Sequence, residues 1–97
     1  MKTTTPSAAI AEIMSKGSVD PDGEVRPMRK VELFRKMEAV EPGLPRTKVY
    51  DRLKATNPQL RILNSIVAHL GYSVVLVPNE RVGRLGDDCY RLVSDGE

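Results

Sequence analysis

Residues 57–77 (NPQLRILNSIVAHLGYSVVLV) constrain the fold of this chain more than any other stretch. Leu60, Leu63, Ile66, Val67 and Leu70 recur at intervals of three and four, which lines one face of a helix with apolar side chains. Asn57-Pro58 is a cap-then-proline start and Gly71 is a stop. Beyond Gly71 the period changes: 72–77 (YSVVLV) is a β-branched run closed by Pro78, which predicts a strand. A chain of 97 residues has room for a single core, and this most apolar helix is predicted to be its centre.

Three further helices are predicted upstream. Thr5-Pro6 is an N-cap followed by a proline at the first helical position; Ala9, Ile10, Ile13 and Met14 then form a stripe that ends at Gly17. Residues 18–27 hold two prolines, a glycine and three acids and read as a loop. A second helix is predicted from about Met28 to Val40, its wide apolar face carrying Met28, Val31, Leu33, Phe34, Met37 and Val40, with Pro42-Gly43 as its stop. A third runs from near Pro45 to about Ala55, with Val49, Leu53 and the body of Tyr50 as its buried side. At the far end 89–93 (CYRLV) reads as a second short strand, joined to the first by 79–88, which is too long for a tight hairpin turn. The predicted fold is mostly α: a four-helix helix-turn-helix domain over 1–71 and a C-terminal two-stranded β extension over 72–97, folded as one unit.

Composition removes several classes of function. With one cysteine, Cys89, and one histidine, His69, the chain has neither an intrachain disulfide nor a common Cys/His zinc site, and no metal or cofactor is expected. No apolar run approaches the roughly 18–20 residues of a membrane span, and Glu12 interrupts the stretch around Ile10 and Ile13, so a cytoplasmic protein is expected. A lone histidine leaves no nucleophile–base–orienter set. Asp87 and Asp88 are adjacent and point apart in extended chain. Gly83-Arg84-Leu85-Gly86 imitates a nucleotide-clamping loop but lacks the two flanking helices that loop needs. His69 reads as a half-buried packing residue and Cys89 as a small hydrophobe. The chain does not read as an enzyme.

The net charge of +2 conceals a partition: residues 26–61 hold ten basic and four acidic side chains, while the remainder is net negative. A positive centre between negative ends either attracts a polyanion or is an ordinary solvated surface. Within that centre lies the third helix. At about 100° per residue, Val49 and Leu53 set its inward direction, and Thr47, Lys48, Asp51 and Lys54 then face outward. Arg46, on the first turn, can reach forward past the helix N-terminus. Such a face suits a DNA major groove, where Arg or Lys donates to guanine, Thr meets a thymine methyl and Asp accepts from cytosine. It also suits a solvated surface helix.

The neighbouring segments favour the groove. A five-residue turn, EPGLP, joins the second and third helices, with Gly43 free to take positive φ and Leu44 placed to plug the core. The fourth helix opens at Asn57, Pro58 and Gln59, leaving amide hydrogens at a positive dipole end. Arg52, Lys54 and Arg61 border this region and can neutralise phosphates while the third helix reads bases.

The ordered string Arg46, Val49, Asp51, Arg52, Leu53, then Asn57, Pro58, Leu60, Leu63, Ile66, Leu70, Gly71 and Tyr72, ending in a strand closed by proline, resembles the lambda-repressor-like helix-turn-helix family of the Cro and xenobiotic-response-element type, in particular small phage and mobile-element regulators. The resemblance covers 43–78 closely and 8–16 more loosely. The loop between the first two helices and the second helix itself are longer than that pattern. The resemblance implies a DNA-binding transcriptional regulator, usually a homodimer on an inverted repeat. It also implies base contacts from Arg46, Thr47 and Lys48 and phosphate contacts from Arg52, Asn57 and Arg61. The regulator expected is an (auto)repressor of a phage or mobile-element operon.

In the tail, both faces of 72–77 are largely apolar, and a lone two-stranded ribbon is marginal in water. Tyr72, Val74, Leu76, Tyr90 and Leu92 are therefore expected at a dimer interface, as one intermolecular sheet. The alternative is a flap folded within one chain. Dimerisation would set two recognition helices about 34 Å apart. Two other readings assign the tail or the scaffold to a protein partner: the antitoxin of a toxin–antitoxin pair, and a phage inhibitor of a host factor.

Overall fold

Thr5 and Pro6 start the first helix as the sequence predicts: the Thr5 hydroxyl accepts from the Ala8 amide, and α1 (Pro6–Lys16) buries Pro6, Ala9, Ile10, Ile13 and Met14. The computed structural model describes residues 1–19, 22–55 and 57–93. Within them lie α2 (Lys30–Val40), α3 (Arg46–Lys54), α4 (Leu60–His69) and a 3-10 helix (Asn79–Arg84). The strands are β1 (Lys2–Thr4), β2 (Ser18–Val19), β3 (Val25–Arg26) and β4 (Tyr90–Leu92). The domain is mostly helical, with two small two-stranded sheets.

All four α-helices feed one core, and α2 packs on both α3 and α4 while α1 packs on α3. Leu33, Val49, Ile66 and Leu70 are enclosed completely. α4 ends in a Schellman motif: the Tyr72 amide donates to the Val67 carbonyl (2.8 Å) and the Gly71 amide to the Ala68 carbonyl (3.1 Å). Gly71 carries φ 83°, where a Cβ is disfavoured, and the motif turns Tyr72 back onto the core.

Several boundaries differ from expectation. Met28 is buried but lies ahead of α2, its amide donating a hydrogen bond to the Met14 carbonyl (2.9 Å). α4 starts at Leu60 rather than at Asn57-Pro58, because Gln59 stays extended (φ −62°, ψ 145°) and takes the cap position without a side-chain bond. Leu60 and Val40, expected on buried faces, lie at helix ends that the core does not reach and are 67% and 75% exposed. The stretch expected to be loop contains the antiparallel β2–β3 pair, its turn tightened by the Glu24 amide donating to Asp22 (3.1 Å). Pro21 of that loop, and residues 94–97 of the expected extension, lie outside the described residues.

The largest correction concerns the tail. Residues 72–77 form no strand. β4 pairs instead with β1, in parallel, with Lys2 opposite Tyr90 and Thr4 opposite Leu92. The Lys2 amide donates to the Cys89 carbonyl (3.2 Å) and the Val93 amide to the Thr4 carbonyl (3.0 Å), so the tail is tied back to the start of the chain. The β-branched Thr3 and Thr4 supply that edge, which leaves 72–77 without the expected partner. Pro78 caps the 3-10 helix.

A charged clamp secures β1 to α1. Glu12 accepts from Lys2 (2.9 Å) and pairs with Lys16 (2.7 Å), and these bonds, Lys16 foremost, hold its carboxyl below the usual carboxylate range. A lowered folded pKa means stability that is present above the unfolded pKa and lost as pH falls through the folded one. In urea titrations, Glu12→Gln should therefore be less stable than the parent at pH 7, and the difference should shrink as the pH falls below the usual carboxylate range.

Candidate nucleic-acid interface

The interface is built outward from two anchors. Val49 and Leu53 are buried, which fixes the rotation of α3 and turns Thr47, Lys48, Asp51 and Lys54 to solvent. Arg52 and Tyr50, at the edges of the buried arc, are half-buried. The turn from α2 takes the expected form: Gly43 has φ 87°, and Leu44 is 4% exposed, inserted in the core. α3 is thus a short helix held from beneath with its polar side uncovered.

Arg46 is placed differently from expectation. Its guanidinium lies over the ring of Phe34 in α2, 5.4 Å from the ring centroid, instead of reaching past the end of α3. The helical wheel accounts for this, because position 46 falls only about 40° from the inward direction set by Val49 and Leu53. A similar contact sets the Lys30 ammonium over Tyr50, at 5.9 Å. These two contacts bridge α2 and α3, which charge counting alone does not reveal.

The remaining cations are differently disposed. Among the described residues, Lys48, Arg52, Lys54 and Arg61 have no ion-pair partner, whereas Arg29 pairs with Glu32 (3.2 Å). Asn57, Gln59 and Arg61 are exposed at the start of α4. The first intrahelical bond there runs from the Leu63 amide to the Gln59 carbonyl, so the preceding amides point to the helix N-terminus. The positive side chains of α3 and the opening of α4 are available to an external anion.

The expected dimer residues are divided by the structure. Tyr72, Val74 and Tyr90 pack against the protein's own core, with the Tyr72 and Tyr90 rings 6.2 Å apart and tilted by 57°. Burial, then Tyr90, raises the Tyr72 hydroxyl pKa. Leu92 lies in the ladder with β1, while Leu76 is fully exposed. His69 is half-buried, and burial, then Lys36, lowers its pKa.

Among the described residues, no three His, Cys, Asp or Glu side chains gather to hold a metal, and no helix is long and apolar enough to cross a membrane. Comparison with family models, curated proteins and solved structures finds no match.

Proposed function

We propose that this chain binds duplex DNA through the outer face of α3 as a helix-turn-helix transcriptional regulator, an (auto)repressor of a phage or mobile-element operon. The observation that carries the reading is the uncovered face of Thr47, Lys48, Asp51 and Lys54 above the buried Val49 and Leu53. A short helix held by two apolar anchors, and reached from the preceding helix through a glycine turn, is the geometry needed to enter a major groove. Lys48, Thr47 and Asp51 offer donors and an acceptor to base edges, and Arg52, Lys54 and Arg61 offer charge to phosphates. Arg46 braces α3 against Phe34 and contributes to readout chiefly by fixing the helix. The resemblance of 43–78 to lambda-repressor-like regulators points the same way.

Binding assays on duplexes that vary one base pair at a time test these roles. Lys48→Ala should flatten preference at one position, at a cost of about 1–3 kcal/mol there. Arg61→Ala should weaken all duplexes alike and reduce the salt slope by about one. Identical behaviour of the two variants would contradict the division of roles.

A further inference from the structure

Between the helical core and the returning tail lies an open groove of about 970 Å³. Its floor belongs to the core: Ile10 and Ile13 of α1 and Leu63 and Val67 of α4 line it, and none of the four is more than 7% exposed. The tail supplies further walls, Val82 and Leu92 among them. That volume lies at the top of the range of small-molecule sites, roughly 300–1,000 Å³. Tyr72 and Tyr90 also line the groove, both half-buried, and among the described residues neither hydroxyl makes a hydrogen bond. The backbone groups of 73–77, of which all but those of Leu76 belong to lining residues, make none either. An apolar recess with a few unsatisfied polar groups at its side is the composition of a ligand site.

We propose that this groove binds an uncharged, largely apolar small molecule carrying an acceptor oxygen, with its hydrocarbon part on the α1–α4 floor and its oxygen at the Tyr72 and Tyr90 hydroxyls. Depth selects the size of the occupant. The surface of another protein does not reach side chains as enclosed as Ile10 and Val67, whereas a small molecule passing between the tail and the helices does. Charge selects its chemistry. Although 29% of the chain is charged, the charged side chains lining the groove are Asp88 and Arg91, which offset each other. The Met1 amine is paired with Asp87 (3.7 Å). With no net charge to offer, the recess favours a neutral molecule, because an ion would be desolvated there without compensation. The two hydroxyls select the acceptor: burial raises the Tyr72 pKa, so this phenol keeps its proton at neutral pH and donates it.

Fluorescence titration of the full chain with N-phenyl-1-naphthylamine, a neutral apolar probe, tests this without DNA and so independently of α3. The probe should bind saturably, at roughly one per chain, and 2-decanone should displace it at least about tenfold more effectively than decanoate of the same length. Val75→Glu sets a carboxylate at a lining position that is 69% exposed, so it should weaken probe binding about tenfold with an unchanged circular dichroism spectrum. Val40→Glu, on α2 and outside the groove, should not. Tyr72→Phe combined with Tyr90→Phe keeps both rings and should weaken 2-decanone by about tenfold while leaving the probe's own affinity unchanged. Absence of saturable binding, equal displacement by decanone and decanoate, or equal losses in Val75→Glu and Val40→Glu would overturn the proposal. Full retention of 2-decanone affinity in the double phenylalanine variant would overturn it equally.

Discussion

Replacing both Lys48 and Lys54 by glutamate should abolish measurable duplex binding, a loss of at least about a hundredfold, while leaving the fold intact. Both side chains are exposed on the outer face of α3, and neither has an ion-pair partner among the described residues, so no internal contact is lost. Each reversal removes a cation from the surface proposed to face DNA and adds an anion in its place. Release of condensed counterions makes affinity steeply dependent on such charges. The control is Arg81→Glu with Arg84→Glu on the 3-10 helix, which changes net charge by the same amount away from α3. That control should retain most of the parent's affinity. Equal losses in the two double variants would mean that overall charge, and not the α3 face, governs binding.

Ile66→Ala should cost about 2–5 kcal/mol of stability. Ile66 is fully enclosed in α4, within the cluster to which every α-helix contributes, so truncation leaves a cavity that the surrounding helices cannot easily close. For a domain whose total stability is of the order of 5–15 kcal/mol, such a loss is a large fraction. Thermal unfolding should show a midpoint lowered by roughly 10 °C or more. Leu60→Ala, at the start of the same helix but 67% exposed, should stay within about 0.5 kcal/mol of the parent. A similar loss at both positions would place the core elsewhere than on the inward face of α4.

The helical part of this architecture is legible in the sequence because it rests on local rules. Thr5-Pro6, the stripe through Ile10 and Ile13, the Gly43 turn and the Gly71 stop each specify their own neighbourhood, and Val49 and Leu53 fix the rotation of α3 without reference to distant residues. The uncovered face of that helix follows directly. The tail is not legible in the same way. β-propensity identifies 72–77 and 89–93 as strand formers but carries no information on which partner each will find. The partner of β4 is Lys2–Thr4, at the opposite end of the chain, and a three-residue strand built on threonines offers little pattern to recognise. Pairing across so long a sequence separation is decided by tertiary packing, in which β4 lies against α1 as well as against β1. The same holds for Arg46: its place over Phe34 depends on the crossing of α2 and α3, and only its position on the helical wheel hints at it.

The central claim is that the α3 face reads duplex DNA. Its most direct test is a fluorescence-anisotropy titration of the full chain on the duplex upstream of its own gene and on a scrambled duplex, over a range of salt concentrations. With about six phosphate contacts, affinity for the upstream duplex should fall with a log–log slope near −5 and exceed that for the scrambled duplex at every salt concentration. No saturable binding at low salt, or equal affinity for the two duplexes throughout, would contradict the account.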